Sequence, residues 1–279
     1  MRRIAVHCLV VVSIGAVLTA TPAPAAPGPA APPPSSATAP PVVLIVMENH
    51  SYGQIVGAAQ APYLNRTFIP AGELFTNYWA ITHPSLPNYI AMTAGSPLGC
   101  ASDACPPGSF RSKNLFAQLD RAGIGWRAWE ESMPSNCRAS DSGSYVVRHN
   151  PPAYFSHLVS TGKCGLWDRP YPAALPPLHP FTFITPNICN DMHSCSISTG
   201  DTWLAGHVPG LLAAGAVVII TFDEGTTDNH VMTAVVGPGV TAGTSDNHRY
   251  RHYGLLGGLE SYFGLRTLRK ATAATPLPI

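Results

Sequence analysis

Apolar residues in this chain cluster into short unbroken runs. Val42-Val43-Leu44-Ile45-Val46-Met47, Phe181 to Ile184, Ala216 to Phe222 and Val231 to Val236 are β-branched or aromatic almost throughout. Continuous runs of this kind predict strands buried on both faces, because a half-exposed strand alternates apolar and polar residues. Trp126 to Trp129 is a weaker run of the same type. Between them, Leu86 to Thr93, Asn114 to Ala122 and Trp203 to Ala214 carry apolar residues at helical spacing, and Gly254 to Phe263 reads as a closing helix ended by Gly264. Strands alternating with helices predict an α/β sandwich around a largely parallel sheet. In such sheets ligands gather beyond the carboxyl ends of the strands.

The pattern changes before Pro41. Met1-Arg2-Arg3, the apolar stretch Ile4 to Ala20 and Ala23-Pro24-Ala25 have the layout of an export signal over residues 1–25. Thr21 to Pro41 is almost entirely Pro, Ala, Ser and Thr, so residues 26–40 are expected to be a linker and 41–279 one folded domain. A region of roughly 240 residues is ample for a single core. Only 11% of residues are charged and the net charge is +1, which argues against a nucleic-acid binder. Setting aside Cys8 in the signal leaves Cys100, Cys105, Cys137, Cys164, Cys189 and Cys195, an even set that favours disulfides in an exported protein. Six cysteines allow about 15 pairings. Proximity favours Cys100 with Cys105 and Cys189 with Cys195, leaving Cys137 with Cys164; no CxxC pair points to a zinc cluster.

Candidate chemistry sits at the ends of the runs. In His83-Pro84-Ser85-Leu86-Pro87, Pro87 is tolerated only in a first helical turn, so Ser85 falls at or near a helix start. Free backbone N–H groups there suit phosphoryl oxygens, although a serine at this place also serves as a simple cap. Glu48-Asn49 follows the first strand and Asp223-Glu224 follows a later one. Their donors are all oxygen, which suits a hard cation such as Ca²⁺, Mg²⁺ or Mn²⁺. A metal is one way to make a serine hydroxyl nucleophilic. His193 and His252 are candidates to protonate a leaving group, or to join Asp191 at a second metal, with zinc among the options. His83, His149, His157, His179 and His207 receive no role. A serine-esterase triad lacks its G-x-S-x-G elbow.

With these landmarks in order, the chain resembles the bacterial phosphoesterase family of secreted acid phosphatases and phospholipases C, within the alkaline-phosphatase superfamily. The matching segments are Val46-Met47-Glu48-Asn49-His50-Ser51-Tyr52, His83-Pro84-Ser85-Leu86-Pro87-Asn88-Tyr89, Thr185-Pro186-Asn187, Asn190-Asp191-Met192-His193, Gly200-Asp201-Thr202-Trp203-Leu204, Thr221-Phe222-Asp223-Glu224-Gly225 and His252-Tyr253. The resemblance implies an alkaline-phosphatase-like sandwich with helices on both faces, a phosphoserine on Ser85, and a divalent metal held by Glu48, Asn49, Ser85, Asp223 and Glu224. It also implies that His193 assists the leaving group. The related nucleotide pyrophosphatases carry two metals, which would give Asp191, His193 and His252 ligand roles. Glu224 stands where those enzymes have histidine, so one metal is favoured here and the second is left open. The implied protein is a secreted monomer without a stable membrane anchor, hydrolysing small-molecule or lipid phosphate monoesters; phosphodiester cleavage on phospholipid head groups is the alternative. Asn49-His50-Ser51 and Asn65-Arg66-Thr67 match the glycosylation sequon, and sugar on Asn49 is incompatible with a metal-ligand role.

Overall fold

Residues 39–279 are described by the computed structural model, so the export-signal reading and nearly all of the linker reading lie outside them. The strands are β1 (Val42–Met47), β2 (Glu73–Phe75), β3 (Tyr78–Trp79), β4 (Trp126–Glu130), β5 (Asp168–Pro170), β6 (Phe181–Thr185), β7 (Val217–Phe222), β8 (Thr233–Val236), β9 (Thr244–Asp246) and β10 (Tyr250–Arg251). The α-helices are α1 (Tyr52–Ile55), α2 (Ser85–Ala94), α3 (Leu115–Arg121), α4 (Ser156–Ser160), α5 (Lys163–Trp167), α6 (Ile197–Ala213) and α7 (His252–Tyr262).

The main sheet runs β5-β4-β6-β1-β7-β8-β2-β9, and β3 pairs with β10 in a separate two-stranded ribbon. β1 is parallel to both β6 and β7, with Ile45 opposite Ile184 on one side and Ile220 on the other. β1, β6 and β7 are buried at every position, as their unbroken apolar runs require. β8 breaks the parallel order and pairs antiparallel with β7. The connection from Asp223 to Met232 contains no helix and is too short for a crossover, so the chain turns straight back.

α2 is buried at all of its positions and packs against α3, α7 and the 3-10 turns Val147–His149 and Pro151–Tyr154, while α6 packs on β7. α6 starts earlier than its apolar spacing predicts, because Ser196 accepts the Thr199 N–H and opens the helix through polar and small residues. The disulfides are Cys100–Cys105, Cys137–Cys164 and Cys189–Cys195. No helix among the described residues is long and apolar enough to cross a membrane.

This topology puts three chain segments on one edge. Met47 lies opposite Phe222, so Glu48 and Asp223 leave the sheet side by side. The Asp223 N–H donates to the Met47 carbonyl at 3.0 Å, and the Glu48 N–H donates to the Asp191 carbonyl at 2.8 Å.

Candidate active site

Ser85 is the first residue of α2, after the extended Pro84, and only 2% of it is exposed. Asn88 fixes the turn that leads into it. Its Oδ1 accepts the N–H groups of Ile81 and Thr82 at 3.0 and 3.1 Å, and its Nδ2 donates to the carbonyls of Thr82 and Pro84. The Ser85 hydroxyl donates to Glu48 Oε2 at 3.0 Å and lies 3.5 Å from the Asn49 amide.

Asn49 has a φ of 47°, a left-handed turn that asparagine tolerates better than other side-chain-bearing residues. The turn drives its amide between acids from both strand ends. One terminal amide position lies 3.0 Å from Glu48 Oε2 and 3.2 Å from both Asp223 Oδ1 and Glu224 Oε1. With nitrogen in that position, Asn49 donates to all three carboxylates. With oxygen there, four oxygens face one another, and a cation is what stabilises such a cage. Asp223 Oδ2 is buried with no hydrogen-bond partner. An all-oxygen set with an orphaned buried carboxylate oxygen fits a hard divalent cation.

The electrostatics agree. Burial pushes the Asp223 carboxyl up to about 7. Burial, then the charges of Asp223 and Asp103, push Glu224 up to about 9. Glu48 is raised well above its ordinary value by burial, then by the charges of Asp223 and Asp191. Each of the three favours its protonated form more than a free carboxyl does, and a bound cation would take the place of those protons.

A second layer stands behind Glu48. Its Oε1 accepts the Tyr89 hydroxyl at 2.6 Å and lies 3.3 Å from His149 Nε2, while His149 Nδ1 lies 3.2 Å from Asp191 Oδ2. His149 is buried and stacks on Tyr89 with ring centroids 5.3 Å apart. Burial holds its pKa well below the ordinary value. Glu48, His149 and Asp191 form a group with metal-ligand geometry, their donor atoms all within 4.8 Å.

The expected residues are therefore only partly assembled as the sequence predicts. Glu48, Asn49, Ser85, Asp223 and Glu224 converge. Asp191 joins them through His149, which sequence reasoning left without a role. His252 does not face that group: its Nε2 lies 2.6 Å from the Asp223 carbonyl and its Nδ1 3.0 Å from the Tyr78 hydroxyl. Burial lowers its pKa to about 4, so it supports the Asp223 backbone as a neutral ring. His193 stands exposed, its Nδ1 3.0 Å from Ser194 Oγ and its ring 6.1 Å from that of His149. His83, also given no role, places Nδ1 3.0 Å from Glu224 Oε2. Both sequon asparagines are engaged in structure: Asn49 in the cage, and Asn65 donating to the carbonyls of Ile55 and Ala61 at 2.8 and 2.9 Å.

Fold and site together define a class. A Vibrio parahaemolyticus protein of the alkaline phosphatase superfamily aligns over 84% of this chain and 70% of its own, with a TM-score of 0.58 at 12% identity. Residues 60–266 match the Phosphoesterase family. The chain belongs to that family, and its class is that of hydrolases acting on phosphoester bonds. Among similar proteins, a phosphatidylinositol-3-phosphatase of Mycobacterium tuberculosis is 33% identical over 243 residues, covering 85% of this chain and 81% of that one. A probable acid phosphatase of Kluyveromyces lactis is 29% identical over 247 residues, covering 80% of this chain and 58% of that one.

Proposed function

We propose that this chain is an exported, cation-dependent phosphatase that hydrolyses phosphate monoesters through a phosphoserine on Ser85, acting as a monomer. The observation that carries the reading is the Ser85 hydroxyl, 3.0 Å from Glu48 Oε2, at the mouth of the cage formed by Asn49, Asp223 and Glu224. Glu48, Asn49, Ser85, Asp223 and Glu224 would hold a divalent ion (Ca²⁺, Mg²⁺, Mn²⁺ or Zn²⁺), which would neutralise their charge and lower the pKa of the serine hydroxyl.

The chain's own groups account for the rest. Ser85 Oγ attacks phosphorus and its proton passes toward Glu48 Oε2, whose partner oxygen accepts the Tyr89 hydroxyl and lies 3.3 Å from His149 Nε2. The bond to the ester oxygen breaks, and His193 on the rim, entering the cycle protonated, gives its proton to that oxygen. Water then attacks the phosphoserine and passes a proton to the now neutral His193, while Glu48 returns its proton to Ser85 Oγ, so inorganic phosphate leaves and the hydroxyl is restored. The names of the mycobacterial and yeast relatives, both phosphatases, support monoesters over the phospholipase-type alternative, and an inositol-lipid phosphate falls within that substrate class. The disulfides support an oxidising, extracytoplasmic setting.

Elemental analysis and turnover of an aryl phosphate test this reading together. Purified protein is expected to carry about one divalent ion per chain. Chelation and Asp223→Ala should each lower turnover by at least about a hundredfold. Full activity in metal-free protein contradicts it.

A further inference from the structure

An internal anion stands beside the nucleophile. Asp103 lies in the loop closed by Cys100–Cys105, and its Oδ1 accepts the backbone N–H of Leu86 at 2.9 Å, one residue after Ser85. Its Oδ2 stands 3.8 Å from Arg148 Nε. The same charge is felt inside the cage, where it follows burial and Asp223 among the causes that raise Glu224. An unpaired N–H at a helix start is where an oxygen of a phosphoryl group on Ser85 would bond, and a guanidinium is the side chain best shaped to hold that group from outside. Asp103 holds both.

We propose that Asp103 is an internal surrogate for the substrate phosphate: its carboxylate occupies the phosphoryl position at Leu86 N–H and Arg148, and a phosphate monoester binds by displacing it. The proposal rests on Ser85 being the nucleophile and adds how that site selects its substrate. No covalent step is involved. One hydrogen bond and one ion pair pass from carboxylate to phosphoryl group, and Arg148 becomes a substrate-binding residue. The loop permits the exchange, since Ala101, Ser102, Asp103 and Ala104 are all exposed and the disulfide tethers only its base.

Two consequences follow. A monoester dianion competes with the carboxylate better than a diester monoanion does, which sharpens the preference for monoesters. Inorganic phosphate is expelled by the same carboxylate, so product inhibition is weakened. A helix cap of no catalytic consequence is the rival account of the Leu86 contact.

KM and kcat for an aryl phosphate, the inhibition constant of inorganic phosphate, and thermal stability separate these accounts. Asp103→Asn retains an acceptor for Leu86 N–H without the charge, and Asp103→Ala removes both. Both variants are expected to lower KM and the phosphate inhibition constant by about tenfold, the scale of one charged hydrogen bond, with a smaller change in kcat. Arg148→Ala is expected to raise KM far more in the Asp103→Ala background than in the parent, because only there is the guanidinium free for substrate throughout. Lower stability with unchanged KM and inhibition constant overturns the proposal in favour of a cap, and a raised KM overturns it outright. If the parent protein turns over no phosphate ester, the proposed function fails. Calorimetric binding of inorganic phosphate then decides the inference separately: tighter binding by Asp103→Ala supports it, and equal binding overturns it.

Discussion

His149 shows how one side chain links the nucleophile's hydrogen-bond partner to the rest of the site. Its two ring nitrogens lie between Glu48 Oε1 and Asp191 Oδ2 in a fully buried setting. Removing the ring leaves two buried carboxyls without that partner, and Glu48 loses part of what orients it toward Ser85. His149→Ala is expected to lower kcat by about ten- to a hundredfold and to weaken cation affinity, as loss of an outer support of a metal ligand does. Titrating metal into the stripped variant while following kcat checks this. The sequence displays Glu48, Asn49, Asp223 and Glu224 because each directly follows an apolar strand, and Ser85 because Pro84 and Pro87 frame a helix start. His149 lies in a 3-10 turn without periodicity, and only the packing of that turn on α2 brings it to Glu48. Asp103 is hidden for the same reason, in a disulfide loop that no pattern ties to α2.

Among elements, those long enough to show a period are legible. β1, β6 and β7 stand where their apolar runs end, and α2 and α3 match their spacing to within a residue or two. β2, β3, β5, β9 and β10 are two or three residues long, too short to carry alternation. β2 and β5 pair with β8 and β4, whereas β9 pairs with β2 and β3 with β10, so each depends on a distant segment rather than on a local pattern. α7 shows a different constraint. Leu277 N–H donates to the Gly254 carbonyl at 2.9 Å, so the carboxy-terminal segment lies directly on the helix. A Cβ on Gly258 would stand 2.2 Å from the Leu277 carbonyl oxygen, so that residue keeps the surfaces close. Gly258→Ala gains helix propensity yet is expected to destabilise the protein by about 1–3 kcal/mol, because overpacking outweighs propensity. Chemical denaturation should show a lower midpoint with an unchanged slope; an equal or higher midpoint removes this account of the α7 surface.

At the scale of the molecule, the prominent feature is how many acids the interior holds. Besides the cage, Glu130 at the end of β4 and Asp168 at the start of β5 are both buried, with Asn150 Nδ2 donating to Asp168 Oδ2 at 2.8 Å. Burial raises Asp168 from 3.8 to about 7, and burial with the Asp168 charge raises Glu130. A carboxyl that binds its proton more tightly when folded stabilises the fold fully below its unfolded pKa, and that stability is lost as pH rises through the folded value. For Asp168 the window runs from about 4 to about 7. Asp168→Asn, which cannot ionise, is expected to flatten the fall in melting temperature between pH 4 and 8 by several degrees, on a scale of about 2–4 °C per kcal/mol. An unchanged slope contradicts this assignment. Sequence shows these acids without their neighbours, so their burial, and with it the sign of the pH dependence, emerges only from the tertiary packing.

The central claim is that Ser85 carries the phosphoryl group between ester and water. Acid-quenching the metal-loaded protein during turnover of an aryl phosphate, followed by mass spectrometric mapping of the peptide spanning α2, tests it most directly. Phosphate on Ser85, absent after chelation and absent in Ser85→Ala, is the predicted result. Phosphate on a different residue, or turnover that persists in Ser85→Ala, contradicts the account.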